Sequence, residues 1–249
     1  MTCNIAINGF FGRMGQSIFE ESKNHQNTMI TIGCDVKDKI EQSNFGNVIL
    51  TSNIDQHAEQ FDVLIDFTLP QPSLNLINKC VSMKKPITIG TTGFTAEQMQ
   101  QVVSASEFIP ILLAPNMSRG VNASLDGLAR ISKSLKGYDI LIREIHHVNK
   151  VDAPSGTALK MAQVICDNQS IELGDIESKD CPIKFTSLRE NTEIGTHEVV
   201  FSSSSDEIRL LHIANNRSIF AKGAIETAVW VKEQKPGLYT YKEYMESSK

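Results

Sequence analysis

The sequence has no strong charge of either sign, no long apolar run and no clustered cysteines. Its 249 residues carry 24 basic and 29 acidic side chains, a formal net charge of −5. That excludes broad attraction to nucleic acid or to an anionic membrane and leaves only local basic pockets. No apolar run approaches the roughly 20 residues that span a bilayer, and the charged-then-apolar start of a signal peptide is missing. The five cysteines (Cys3, Cys34, Cys80, Cys166, Cys181) are scattered, odd in number and never at metal-ligand spacing. They read as reduced thiols in a cytoplasmic protein. There is no internal repeat and no low-complexity tract. What remains is ordinary globular composition, 41% apolar and 21% charged, in a chain long enough for a large core and two domains.

Residues 1 to about 113 alternate between short apolar runs and helical patterns. Strands are expected at Ile5–Ile7, Met29–Cys34, Val63–Phe67, Ile87–Ile89 and Ile109–Leu113, with helices at Ser17–Glu21, Ser73–Met83 and Ala96–Ser104, the last capped by Thr95. That order predicts a parallel sheet covered by helices. After "APNMSRGVN" the texture changes. A helix is expected from about Asn122 to Leu135, a strand over Tyr138–His147, a helix from about Thr157 to Cys166, and β-pattern from Ile183 to Ala214 with a hairpin turn at "SSSSD". A last helix is expected over Ile219–Lys232. The fold class is therefore α/β: a Rossmann-type nucleotide-binding domain plus an α+β domain with a mostly antiparallel sheet.

"INGFFGRMG" runs from an apolar strand into a turn with Gly9, Gly12 and Gly15. Glycines let backbone N–H groups approach a pyrophosphate, and the following helix start adds partial positive charge. Arg13 adds a full one. Asp35 closes the second strand, where an acidic residue holds ribose hydroxyls. A plain glycine turn is the competing reading, which strand context and Asp35 weaken. Phe11 departs from the tighter glycine pattern, so its side chain must point away from the phosphates. "GTTG" (Gly90–Gly93) and "APNM" (Ala114–Met117) stand at carboxyl ends of expected strands, where open α/β sheets bind ligands. Singly each reads as a loop; with the first turn they outline one crevice.

The block "EIHHVNKVDAPSGTAL" spans Glu144 to Leu159. His146 and His147 are adjacent on an expected strand, so they face opposite ways or splay at its end. No cysteine or third histidine accompanies them in sequence, which argues against a metal. Lys150 follows, and Ser155, Gly156 and Thr157 precede a helical run whose first N–H groups form a carboxylate cradle. Histidine, lysine and a helix start together point to an acidic substrate with a proton to be moved.

Here the sequence resembles the 4-hydroxy-tetrahydrodipicolinate reductase (dihydrodipicolinate reductase) family over nearly its whole length. Glu144 to Ala158 looks like that family's signature. "NGFFGRMG", "DFT" (Asp66–Thr68), "GTTG", "APNMSRGVN", "IGTHEVVF", "NNRSIFAKGA" and "GLY" (Gly237–Tyr239) support it. The resemblance implies reduction of 4-hydroxy-tetrahydrodipicolinate with NADH or NADPH, with loss of water, in the diaminopimelate route to lysine. It implies cofactor contacts from Gly9, Phe10, Phe11, Gly12, Arg13, Met14 and Asp35. The nicotinamide side would be lined by Gly90, Thr91, Thr92, Ala114, Pro115, Asn116 and Met117. His146 would be the proton donor and acceptor and Lys150 the second proton donor. His147, Gly156 and Thr157 would contact a small dicarboxylate substrate, without a metal. Residues 1–117 with 217–249 would form the dinucleotide-binding domain, and 118–216 the substrate domain that builds a homotetramer through its sheet. Phe11, and Glu190-Asn191 where members often carry Gly-Gly, depart from the pattern.

Two other readings stay open on the residues. One keeps a Rossmann domain with another substrate, such as homoserine or an aldose-like molecule, but lacks the signature. The other is a cofactor-sensing protein without catalysis, which the presence of both His146 and Lys150 disfavours.

Overall fold

The structure is a computed structural model that describes residues 2–40, 45–191 and 193–247. The chain folds into two compact units, Met1–Ser118 with Ser218–Lys249, and Arg119–Arg217.

The first unit is built on seven strands: β1 (Cys3–Asn8), β2 (Thr28–Cys34), β3 (Ile49–Thr51), β4 (Val63–Asp66), β5 (Ile87–Ile89), β6 (Pro110–Leu113) and β11 (Gly237–Tyr239). Their order is β11-β6-β5-β4-β1-β2-β3, and every pairing is parallel. Parallel strands need helical crossovers, which cover both faces and bury the strands on each side. Helices α1 (Arg13–Ser22) and α7 (Ser218–Val231) supply Ile18, Ala221, Ala224, Ile225, Ala228 and Val231 to one face, against Ile5 and Ile7. Helices α3 (Pro70–Met83) and α4 (Ala96–Ser106) pack Leu74, Ile77, Cys80 and Val102 against Leu64, Ile87 and Ile111 on the other. Each such aliphatic side chain contributes about 1.5–3 kcal/mol when fully buried. Pro70 opens α3 at its first turn, and Thr95 caps α4 in a reciprocal box with Gln98. A single turn, α2 (Lys37–Ile40), follows β2.

The expected strands and helices of this unit are present; helices α1, α3 and α4 and strands β1 and β2 extend beyond the expected ends, while β4 stops at Asp66 and β6 starts at Pro110, each one residue short. Short β3 carries too little periodicity to read from sequence. The expectation that Ile219–Lys232 is the last helix is corrected. The chain continues through edge strand β11 into α8 (Tyr241–Ser247), whose Tyr241 and Tyr244 pack under α7.

The second unit packs α5 (Arg119–Ser134) and α6 (Gly156–Gln169) on one face of a four-stranded sheet. The strands are β7 (Asp139–His146), β8 (Ile183–Arg189), β9 (Thr196–Ser202) and β10 (Glu207–Ile213), in the order β10-β9-β7-β8. The β7–β9 and β9–β10 pairs are antiparallel, but β7 and β8 are parallel. The sheet is mixed, which corrects the mostly antiparallel expectation. The reason is α6: a helix between two adjacent strands makes a crossover, and a crossover returns the chain in the same direction. The Ser202–Glu207 connection is the expected hairpin. No helix among the described residues is long and apolar enough to cross a membrane.

The two phenylalanines of the first turn are explained by packing. Phe10 is fully buried and meets Phe11, Phe19 and Phe45 edge-on at 5.0–5.5 Å. Gly33 makes the space: a Cβ there would stand 2.6 Å from Phe10 Cγ. Gly33→Ala should therefore destabilise the protein by about 1–3 kcal/mol, as overpacking does. Urea unfolding should register this as a lower midpoint with an unchanged m-value.

Candidate active site

In the first unit the strand ends meet around one carboxylate. Asp66, at the end of β4, is completely buried. It accepts hydrogen bonds from Asn8 Nδ2 (2.7 Å), Thr68 Oγ1 (2.8 Å), Thr91 Oγ1 (2.8 Å) and the Ser73 hydroxyl. Thr91 Oγ1 also accepts from the Thr68 N–H at 2.9 Å. The ends of β1, β4 and β5 and the start of α3 are thus tied together at the carboxyl edge of the sheet. "DFT" shows only as an apolar run closing on an acid, so sequence reasoning missed this role. An acidic residue ending a fully apolar strand was the available signal.

Above this edge Gly9 takes φ +74, and Gly15 lies so close under the turn that a Cβ would come within 2.4 Å of Gly9 O. Helix α1 starts at Gly12 with no side-chain cap and no acidic residue in its first turn. Among the described residues its first turn thus has neither a side-chain cap nor an acid of its own, as suits an anion site. Arg13 is exposed beside it, and Met14 is half-buried against the core. Phe11 is turned into the aromatic cluster. Asp35 holds the turn itself: Oδ2 accepts the Phe11 N–H at 2.8 Å, Oδ1 accepts the Val36 N–H at 2.8 Å, and Lys39 Nζ stands 3.3 Å away. Gly90 faces the Phe67 ring, which leaves no room for a Cβ. Thr91, Ala114 and Met117 are buried, Thr92 and Pro115 are exposed, and Asn116 Oδ1 accepts the Ser118 N–H at 2.8 Å. The glycine turn, bare helix start and acid at the end of β2 fit a dinucleotide.

In the second unit the signature folds onto a second buried carboxylate. Glu144, two residues before the end of β7, receives the Ser155 N–H at 3.0 and 3.1 Å. His146 Nε2 lies 3.5 Å and His197 Nε2 3.8 Å from its Oε2, and Arg189 Nη2 3.6 Å from its Oε1. Burial pushes the Glu144 carboxyl up, but hydrogen bonds from His146, Ser155 and Ser187 outweigh it and hold it at about 2. The two Nε2 atoms of His146 and His197 are 3.3 Å apart, and Ser155 Oγ is 3.1 Å from His197 Nε2. Ser155 also caps α6, accepting the Ala158 N–H at 3.2 Å. Gly195 lies flat under His146: a Cβ there would be 3.0 Å from its Cε1.

The third histidine is a correction. None is near the His146–His147 pair in sequence, yet β9 pairs with β7 and sets His197 directly opposite Glu144. Glu144, His146 and His197 are the group, among the described residues, whose donor atoms lie within 4.8 Å of one another and could hold a metal ion. "GTHEVVF" was noted only as a matching block; inward alternation on β9 was the signal for His197. The neighbouring pair do part: His146 ends the strand buried, and His147 lies just beyond it, half-buried. Lys150 Nζ is 2.7 Å from both carboxylate oxygens of Asp152. Arg189 donates from Nε to Lys150 O at 3.0 Å and from Nη2 to Asp152 O. Gly156 and Thr157 open α6, whose first N–H groups lack acceptors within the helix. Asn191 adopts φ +43, the left-handed region that favours glycine, where Asn is tolerated better than most residues.

A parallel, doubly covered sheet with a glycine turn, joined in one chain to a mixed-sheet unit, is an architecture shared with Rossmann-type oxidoreductases. Structural likeness at this level is broad: an amine dehydrogenase from Mycobacterium smegmatis matches with a TM-score of 0.66 at 8% identity, over 96% of this chain and 95% of that one, a likeness of fold alone. Family models are more specific. Residues 3–117 match "Dihydrodipicolinate reductase, N-terminus" and residues 120–245 match "Dihydrodipicolinate reductase, C-terminus". The chain belongs to the dihydrodipicolinate reductase family. The 4-hydroxy-tetrahydrodipicolinate reductase of Buchnera aphidicola subsp. Cinara cedri is 36% identical, over 98% of this chain and 97% of its own. That of Pelagibacter ubique is 37% identical, over 97% of each. A dipicolinate-bound dihydrodipicolinate reductase from Paenisporosarcina sp. TG-14 matches with a TM-score of 0.81 at 28% identity, over 96% of this chain and 98% of that one.

The cluster should make stability sensitive to acid. Burial and the neighbouring His146 imidazole outweigh the pull of Glu144 and, with smaller pushes from His212 and Lys150, lower His197 to about 4. The unfolded chain then binds a proton that the folded chain refuses between pH 6.5 and 4. Glu144, also depressed when folded, adds the same sign between pH 4.5 and 2. Stability is therefore full above pH 6.5 and falls as pH drops through both windows. The His197 share is roughly 3 kcal/mol at most. Melting temperatures against pH should fall from 6.5 to 4, and His197→Gln should flatten that part of the curve.

Proposed function

We propose that this protein is an NAD(P)H-dependent reductase that converts 4-hydroxy-tetrahydrodipicolinate to tetrahydrodipicolinate with loss of water, a step of the diaminopimelate route to lysine. Family membership over nearly the whole chain supports this. So does the convergence of Glu144, His146 and His197 beside the start of α6. Residues 1–117 with 217–249 bind the dinucleotide, and 118–216 bind the substrate.

The bound nicotinamide supplies the hydride. The chain's own groups do the rest. The bare start of α1 and Arg13 take the pyrophosphate, with Gly9 to Met14 in contact; Gly90, Thr91, Thr92 and Ala114 to Met117 line the nicotinamide side. The first N–H groups of α6, from Gly156 and Thr157, hold one substrate carboxylate, with His147 beside it. Lys150 is partnered by Asp152 without substrate. On binding it turns its ammonium to the substrate, stabilises electron density as the ring accepts hydride, and gives a proton at the ring nitrogen. His146 handles the proton that the resulting enamine needs. That the related Paenisporosarcina reductase carries dipicolinate, a flat dicarboxylate, supports the substrate class.

The outer face of the second sheet exposes Leu188, Leu211 and Ile213 around ion pairs of Glu198 with Arg143 and Arg209. An apolar sheet face of this kind favours self-association, and a homotetramer in the cytoplasm is the assembly we infer.

The decisive assay supplies substrate through dihydrodipicolinate synthase and follows NADH or NADPH oxidation. His146→Gln should cut turnover by about 10²–10³-fold with cofactor binding near normal. Lys150→Ala and Thr157→Val should weaken calorimetric binding of pyridine-2,6-dicarboxylate; unchanged affinity in both would remove the cradle.

Cofactor choice turns on Asp35. Two of its lone pairs hold the turn, yet its charge still opposes a 2′-phosphate, while Lys39 softens the repulsion. Both cofactors should work, with NADH equal or better by severalfold to about tenfold. Asp35→Ser should shift the ratio toward NADPH and, by releasing the Phe11 N–H, raise KM for both.

A further inference from the structure

His146 has both ring nitrogens engaged, and the second engagement is the informative one. Its Nδ1 faces the Ile194 carbonyl at 3.3 Å. A carbonyl only accepts, so Nδ1 carries the hydrogen in the neutral ring and Nε2 is the nitrogen that gains and loses a proton. Two groups meet that Nε2: His197 Nε2 at 3.3 Å and Glu144 Oε2 at 3.5 Å.

The tautomer of His197 follows from burial. Its Nδ1 is buried with no hydrogen-bond partner among the described residues, whereas its Nε2 has His146 Nε2, Ser155 Oγ and Glu144 Oε2 within 3.8 Å. A stranded N–H costs more than a stranded lone pair, so the proton of His197 resides on Nε2. His197 is then a neutral donor to a neutral His146, and burial keeps it from competing for the proton as a cation.

We propose that His197 and Glu144 are a two-state clamp that positions His146: His197 holds the imidazole when neutral, and Glu144 holds it when protonated. With His146 neutral, His197 Nε2–H donates to the His146 Nε2 lone pair. When His146 takes a proton there, the new N–H donates to the Glu144 carboxylate. The unchanged proton of His197 turns to Ser155 Oγ, 3.1 Å away. Delivery of the His146 proton to the substrate carbon reverses both moves. His197 keeps one proton throughout, so one proton enters and one leaves at His146. Ser155 caps α6 and also donates its backbone N–H to Glu144. The clamp is thus anchored to the helix start that receives the substrate carboxylate. The inference rests on His146 being the acid–base group.

The test compares His197→Gln with His197→Asn. A glutamine amide reaches the place of Nε2 and can donate to His146; an asparagine amide reaches only the place of Nδ1. Both are polar and smaller than histidine, so a filling role would penalise both. In the coupled assay His197→Asn should lose at least about tenfold in kcat, while His197→Gln stays within a few-fold of wild type. Dipicolinate affinity by calorimetry should change less than about threefold in either. Glu144→Gln, which keeps shape and removes charge, should lower kcat with little effect on KM. Equal losses in the two His197 variants, or none, would overturn the clamp. If His146→Gln keeps wild-type turnover, the acid–base reading itself fails. If His146→Gln is crippled and His197→Asn is not, only the clamp fails. Metal analysis of the purified protein should find less than a tenth of an equivalent of zinc. A full equivalent whose removal abolishes activity would make the cluster a metal site instead.

Discussion

A carboxylate taken out of water has to be given hydrogen bonds, and both units of this protein are organised around that demand. Asp66 and Glu144 each lie buried at or near the carboxyl end of a central strand. Neither could remain charged there alone, because burial of an unpaired charge costs many kcal/mol. Each collects donors from separate segments of the chain: Asn8, Thr68, Ser73 and Thr91 for Asp66, and Ser155 with the two imidazoles for Glu144. Mobile loop ends become fixed ones because a donor that leaves exposes the charge. The residues that touch ligand need not be rigid in themselves when the loops that carry them share a buried acid.

The glycine turn answers to a second constraint, close approach. Gly15 permits the turn to lie against the start of α1, and Gly33 admits the Phe10 ring beneath it. The turn then rests on an aromatic cluster instead of on further glycine, and Asp35 holds its crest through the Phe11 N–H. A phenylalanine pair in such a turn is compatible with an anion site because both rings turn inward, away from the start of α1. Asp35 is held by the turn through both carboxylate oxygens, which limits how freely it could turn to a group outside the protein.

Local pattern made most of the fold legible. Strand–helix alternation to residue 113 is a matter of periodicity, and Thr95 before Ala96 is a matter of capping; both are written in neighbouring residues. The features that escaped depend on pairing between distant segments. The direction of β8 is set by α6 lying between it and β7, which a run of β-pattern after residue 183 does not reveal. Strand β11 gains its place by pairing with β6, and helix α8 by packing under α7, although "GLY" shows little by itself. In the candidate site the contiguous block from Glu144 to Thr157 was legible because its chemistry sits in one stretch. His197 was not, since only the register Glu144↔His197 brings it there. Arg189 was not legible either, since its two bonds to the Lys150–Asp152 backbone are likewise tertiary.

The same pairing explains why this unit keeps a buried imidazole beside the start of a helix. A βαβ crossover starts its helix at the carboxyl end of the first strand, so the positive end of α6 must fall next to the last residues of β7. The His146 imidazole therefore stands near the positive end of a helix. Glu144 supplies a negative charge from the same strand, two residues back, on the same face because strand side chains alternate. A strand period of two and a helix that begins where the strand stops are therefore sufficient to assemble acid, imidazole and helix start from fourteen consecutive residues, Glu144 to Thr157. The antiparallel neighbour β9 adds the one element that local sequence cannot supply, a second imidazole facing the first.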